Sequence, residues 1–205
     1  MNQTTDTASA LLSAAQELFA SSGYKGASVR AITRRAGANL GAVTYHFGSK
    51  QALYERAMAG VAEPLREHLA AAARQPGTPL ERIEHLVRAA FEHLAQHPEL
   101  PSFMVQHLAS QGPLPEMVSR VLEGNHAMFA GLIAEGQADG SIRSGDPRLM
   151  ALSVVAQPIW LSVVRSFLQQ ALGLDQREPG TRSGLVGSVV RFIRAGLEAA
   201  PGGTP

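Results

Sequence analysis

Between Ser28 and Lys50 the chain reads SVRAITRRAGANLGAVTYHFGSK, a stretch rich in side chains that suit a polyanion. Arg30 and Arg34 are four residues apart, so a helix sets both guanidiniums on one face, away from Val29 and Ile32. A guanidinium offers paired N–H donors to phosphate oxygens and to guanine edges. Further on, Gly41, Ala42, Tyr45 and His46 share one side of a second short helical pattern, with Val43 and Phe47 on the other. Small residues on such a side let the backbone approach a groove floor, and Ala42 can meet a thymine methyl. Leu40 has two readings open to it: packing inward, or touching a thymine methyl.

Other chemistries find less support. His93 and His97 in FEHLAQH have the spacing of a metal-binding pair on one helix, but the Glu of a HExxH motif is missing and no third ligand follows nearby. A helix-flank role suits them better, and no metal or cofactor is expected. No nucleophile elbow, phosphate loop or paired-carboxylate pattern occurs, so the chain does not read as an enzyme. The chain has no Cys, which removes disulfides, thiolate zinc sites and a Cys nucleophile, and fits a reducing cytoplasm.

The charge is unevenly placed. The net value of +1 divides into +3 over residues 1–58 and −2 over the remainder. A mildly basic module ahead of a mildly acidic body suits a polyanion at one end. With 205 residues, 45% hydrophobic and 17% charged, the chain can bury a full core. Its N-terminus lacks the basic start and apolar run of a signal peptide. The longest apolar run, Leu149–Val164, is broken by Ser153, Gln157, Pro158 and Ser162 and falls short of the ~20 residues of a membrane span. It reads as a buried helix, and no membrane partner is expected.

The elements that must position these residues are helical throughout, since no stretch alternates with period two. The pattern predicts an all-α chain of about nine helices. The first runs from about Thr7 to Ser21 and ends at Gly23; short ones follow from Ser28 and over about 40–47, with a sharp turn at Gly37 and Asn39 available as a cap. Ser49 caps a long helix that Pro64 must kink or end. Thr78-Pro79-Leu80-Glu81 is a capping box that opens a helix reaching His97-Pro98. Further helices are expected over about 102–109, about 115–138, from Asp146-Pro147 to about Leu172 with a kink at Pro158, and about 183–198. The expected division is a head at 1–52, a linking helix at about 49–74, a body at 53–200 and a disordered tail, PGGTP, at 201–205.

Two short helices across a tight turn in a basic region have the geometry of a helix-turn-helix reader. Here the chain resembles the TetR family of bacterial one-component regulators. The likeness is carried by LFASSGYKGASV, AGANLGAV and YHFGSKQALY over about residues 8–58, and more weakly by GSIRSGDPRLMA. The resemblance implies a three-helix DNA-binding head with a helical effector-binding and dimerisation domain behind it. It makes Arg30 a base-reading residue and Ser28 a phosphate contact at the start of the second helix. It places Gly41, Ala42, Thr44, Tyr45 and His46 on the recognition helix, with Tyr45 and His46 toward phosphates, and gives Lys50 a phosphate at the start of the fourth helix. Thr44 stands where a Tyr is frequent, and Leu40 where a polar or basic residue is frequent.

The resemblance also implies an effector pocket among the middle helices, for which Phe103, Met104, His107, Met128, Phe129, Gln157 and Trp160 are candidates. Such a set suits a small apolar or aromatic effector with one or two hydrogen-bonding groups. A dimer interface on the last two long helices is implied as well, with Val155, Ile159, Val163 and Phe167 on one and Leu185, Val189, Ile193 and Leu197 on the other. The expected protein is a cytoplasmic homodimeric repressor that an effector releases from a palindromic double-stranded DNA operator. An activator of the same fold is one alternative. A helical small-molecule carrier or enzyme that keeps an inactive head is the other.

Overall fold

The computed structural model describes residues 3–110 and 114–200; the 201–205 tail lies outside the described residues. The described residues form ten helices, and their only sheet-like contact is an isolated bridge between Ile142 and Glu198. In chain order these are α1 (Gln3–Gly26), α2 (Val29–Arg35), α3 (Ala42–Phe47), α4 (Lys50–Ala73), α5 (Pro79–Gln96), α6 (Glu99–Ser110), α7 (Glu116–Ala138), α8 (Pro147–Val163), α9 (Arg165–Leu172) and α10 (Pro179–Leu197).

The helix starts follow local chemistry. Ser28 Oγ accepts from the Ala31 amide to cap α2, and Ser49 Oγ accepts from the Ala52 amide to cap α4. Thr78 and Glu81 form a capping box at α5: the Glu81 carboxylate accepts from the Thr78 amide and hydroxyl, while Thr78 Oγ1 accepts from the Glu81 amide. Asp146 caps α8 ahead of Pro147. α1 runs past its expected end but breaks at Gly23, whose φ of 66° only glycine adopts readily.

Three boundaries differ from expectation. α6 and α10 begin earlier than the periodicity indicates, α10 at Pro179, whose fixed φ suits the first helical position. The expected helix to Leu172 is two, α8 and α9, bent by 65° at Val164. Pro158 stays inside α8, buried, with Ser162 Oγ donating to its carbonyl. No single described helix is long and apolar enough to cross a membrane.

Two compact units result, and neither corresponds to a single cut after residue 52. One comprises residues 1–64 and 97–121, so it takes in α6, which the sequence assigned to the body. Within it α1 packs on α2, α3 and α6, and Leu11, Ala15, Phe19, Ile32, Val43, Leu53 and Phe103 are buried. The other comprises residues 65–96 and 122–205. Its axis is α5, which buries Leu80, Ile83, Leu86, Val87 and Leu94 and packs on α8 and α10. Arg82 of α5 binds both carboxylate oxygens of Glu135, and Arg194 of α10 pairs with Glu84.

The apolar stripe expected to face outward on α10 is turned inward. Val189, Ile193 and Leu197 are buried in the single chain, turned into the core that α10 shares with α5 and α8, and Leu185 is half-buried. The three buried side chains therefore cannot form a stripe for a second copy. The outward apolar residue of α10 is Phe192, 71% exposed. α8 is likewise no fully buried helix, because Leu149, Leu152 and Trp160 are exposed, as is Phe167 on α9. Val155, Ile159 and Val163 are half-buried.

The capping box supplies a test of this local logic. Thr78→Ala is expected to lower stability by about 1 kcal/mol in urea melts. The hydrogen bonds from Thr78 hold the Glu81 carboxyl below its ordinary 4.5, so its contribution is complete above that value and is lost as pH falls through the lowered one. The gap between wild type and Thr78→Ala should narrow on acidification.

Candidate nucleic-acid interface

The head turns on Gly37, whose φ of 66° lets the chain reverse between α2 and α3. The Ala38 amide donates to Thr33 O and the Ala42 amide to Asn39 O, which closes the turn through backbone alone. The Asn39 side chain does not cap α3; Gly41 occupies the cap position with no side-chain bond. α3 then buries Ala42 and Val43 and leaves Gly41, Thr44 and Tyr45 exposed.

Ala42 does not face the groove as expected: it is 6% exposed and packs with Val43 into the head, where α3 lies against α1 and α2. Leu40 takes the outward place instead, at 58% exposure. Phe47 is only half-buried.

The cations of this region differ in what already binds them. Arg30 and Arg34 are exposed on α2 and make no side-chain hydrogen bond or ion pair among the described residues. Arg35, next in sequence, donates to Glu17 of α1 at 2.6 and 3.0 Å. Lys50 donates to the Tyr24 carbonyl and lies 4.4 Å from the centre of the Tyr24 ring; partial burial lowers its pKa from 10.5. Two of its three N–H groups remain beyond that bond. Ser28 spends its hydroxyl oxygen on the α2 cap. Tyr45 is exposed, and the half-buried His46 ring meets it edge-on, 4.9 Å between centroids.

Behind Lys50 lies a buried aromatic cluster that sequence reasoning missed. Phe19 and Tyr24 of α1 pack on Tyr54 of α4, and Phe103 of α6 sits beside it. The Tyr54 hydroxyl shares a hydrogen bond of 3.2 Å with His107 Nδ1, and burial raises the Tyr54 pKa above 10.0. The legible signal was an aromatic at each of these positions, but nothing along the chain pairs residue 54 with residue 107.

The pocket candidates are divided between the units. Phe103 and His107 belong to the aromatic cluster of the first, where Met104 is half-buried. In the second, Phe129 is buried and Met128 half-buried. Gln157 lines a shallow groove of about 350 Å³ with Leu149, Met150, Val154, Phe192 and Ile193. Trp160 is 63% exposed, so in the single chain it stands on a surface and not in an interior. The sequence reading passed over Asn125 of α7, a buried polar residue whose Oδ1 has no hydrogen-bond partner among the described residues. Its signal was present: a polar residue on the apolar stripe Val118, Leu122, Phe129, Ile133. His93 is buried, and His97 Nδ1 lies 3.1 Å from Glu99 Oε1. Among the described residues no three metal-binding side chains converge.

Comparison with known proteins agrees with this geometry. A family model described as "Bacterial regulatory proteins, tetR family" matches residues 11–57, the whole of α2 and α3 with most of α1 and the first two turns of α4. The HTH-type transcriptional repressor KstR2 of Mycolicibacterium smegmatis is 28% identical over 156 residues, 75% of this chain and 76% of that protein. The HTH-type regulatory protein RaaS of Mycobacterium tuberculosis is 31% identical over 141 residues, 67% of this chain and 61% of that one. In fold, the chain is similar to the ketosteroid transcriptional regulator KstR2 of Mycobacterium tuberculosis, with a TM-score of 0.72, 22% identity and coverage of 94% and 95%. It is also similar to FadR of Bacillus subtilis in complex with stearoyl-CoA, with a TM-score of 0.75, 20% identity and coverage of 92% and 98%.

The contrast among the cations is measurable by fluorescence anisotropy on a specific duplex. Arg30→Ala is expected to cost about 1–3 kcal/mol and to relax one base position. Lys50→Ala should weaken all sequences alike and flatten the salt dependence. Arg35→Ala should cost less than Arg30→Ala, because Glu17 already holds that guanidinium. Equal losses for Arg30 and Arg35 would show that the wrong face has been assigned.

Proposed function

Because this chain belongs to the TetR family of bacterial regulatory proteins, helix-turn-helix regulators of transcription and not enzymes, we propose that it is an effector-released repressor acting as a homodimer on a palindromic operator. The observation that carries the reading is the outward face of the head. There Arg30, Arg34, Thr44 and Tyr45 are exposed, and the arginines are without partners among the described residues. Repression is supported by the KstR2 relatives, which are named repressors. Two heads related by a two-fold axis would read half-sites about one helical turn apart. The proposed DNA contacts are Ser28, Arg30, Arg34, Gly41, Thr44, Tyr45, His46 and Lys50. A gel shift on the DNA upstream of the protein's own gene, with excess random duplex as competitor, tests it. Binding no tighter than to the competitor would overturn it.

Dimerisation is proposed through the exposed apolar face of Leu149, Leu152, Trp160, Phe167 and Phe192, five large side chains whose burial a second copy would supply. Val155, Ile159 and Val163, half-buried on the same helix, border it. The effector is proposed to be a small apolar molecule, in keeping with the ketosteroid regulator KstR2 and the stearoyl-CoA complex of FadR. In the second unit Asn125 Oδ1 offers such a ligand an unmet acceptor within an otherwise apolar helix face. An effector that binds the free state better than the operator-bound state lowers operator affinity, and the operator lowers effector affinity by the same factor.

Two glutamates separate interface from core. Phe192→Glu should leave helical content intact, yield a monomer by light scattering, and shift Trp160 emission to the red as its surface is uncovered. Val189→Glu, at 7% exposure, should instead destabilise the fold by on the order of several kcal/mol, because it buries an unpaired charge. A Phe192→Glu protein that remains dimeric would exclude the proposed face.

A further inference from the structure

Leu40 is the least expected side chain on the head. It is 58% exposed, directly before the Gly41 cap of α3, on the outward side with Thr44 and Tyr45. The backbone holds it there: the turn closes through Asn39 O and the Ala42 amide, and the inner face is taken by Ala42 and Val43. Of the two readings open in the sequence, inward packing is therefore excluded.

We infer that Leu40 is a specificity-determining residue that selects a thymine in each operator half-site by packing on its C5-methyl group. The inference rests on the reading of this head as a DNA binder. Among the major-groove edges of unmodified DNA, guanine offers two acceptors, cytosine a donor, and adenine one of each; thymine alone adds an apolar group. A leucine has no donor or acceptor. Set against any other base, it strips water from polar atoms and returns no hydrogen bond. Set against a thymine methyl, it removes apolar surface from water on both sides. Ala42, the residue whose methyl would otherwise serve, is buried. Of the other outward side chains of α2 and α3, Arg30, Arg34, Arg35 and Tyr45 carry polar ends and Thr44 offers a single methyl, so Leu40 presents the largest aliphatic surface to a thymine.

The test replaces thymine with deoxyuridine, which deletes only the methyl group. A duplex is first selected from a pool of random 30-mers by the wild-type protein. Each thymine is then exchanged singly, and in symmetric pairs, with affinity read by anisotropy. At one thymine per half-site the exchange should weaken wild-type binding about fourfold, and about fifteenfold when both half-sites are exchanged. Leu40→Ala should bind the thymine duplex correspondingly less well and lose its sensitivity to deoxyuridine at that position alone. Circular dichroism should be unchanged, since the side chain is exposed. If no deoxyuridine position is coupled to Leu40, the inference is overturned while the DNA-binding function stands. If the wild-type protein selects no duplex, both fail.

Discussion

In the first unit the packing of α1, α4 and α6 meets at Tyr54, whose hydroxyl shares a buried hydrogen bond with His107 Nδ1 and whose ring packs against Phe19. Tyr54 stands where α1, α4 and α6 converge: Phe19 and Tyr24 meet it from α1 and Phe103 from α6. A buried phenol needs a polar partner, and His107 supplies it. With α1 and α4 fixed by this cluster, α2 and α3 have a rigid backing, and their outward side chains take defined positions. Lys50, one turn before Tyr54, is drawn into the same arrangement through the Tyr24 carbonyl and ring.

What the head can offer a partner is set by which polar groups are already committed. Ser49 caps a helix and Arg35 is bound to Glu17, while Ser28 spends only an acceptor site on its cap and keeps its O–H to donate. Thr33 returns its hydroxyl proton to the Val29 carbonyl. The uncommitted groups then concentrate on one face. Internal satisfaction of most polar groups thus sharpens the site, because an arginine with no internal partner has its full donor set for a ligand.

The second unit follows a different logic. α5 is strongly amphipathic, and both α8 and α10 use one side to cover it. Large apolar side chains remain on their other sides, with Leu149 and Trp160 of α8 and Phe192 of α10 in water. Salt bridges such as Arg82–Glu135 and Arg194–Glu84 tie the charged rims of this core and do not screen that face.

Much of this was legible along the chain, because the governing chemistry is local. Ser28, Ser49, Thr78 and Asp146 announce helix starts through bonds to amides two or three residues away. Gly37 marks a left-handed turn that other residues avoid. The head and its likeness to a known family lie within about fifty contiguous residues. The rest depended on contacts that periodicity does not encode. An apolar stripe along a helix gives no sign of whether its own chain or a second copy covers it, so Val189, Ile193 and Leu197 went inward against expectation and left Phe192 outside. Sequence spacing puts Ala42 and Leu40 near the groove alike; only the packing of α3 on the rest of the head buried one and exposed the other. Residue types and local spacing determined the helices, the turn and the kind of partner. Tertiary packing decided which face each helix shows and which charges stay unpaired, because burial is a property of surfaces brought together and not of the order of residues in one chain.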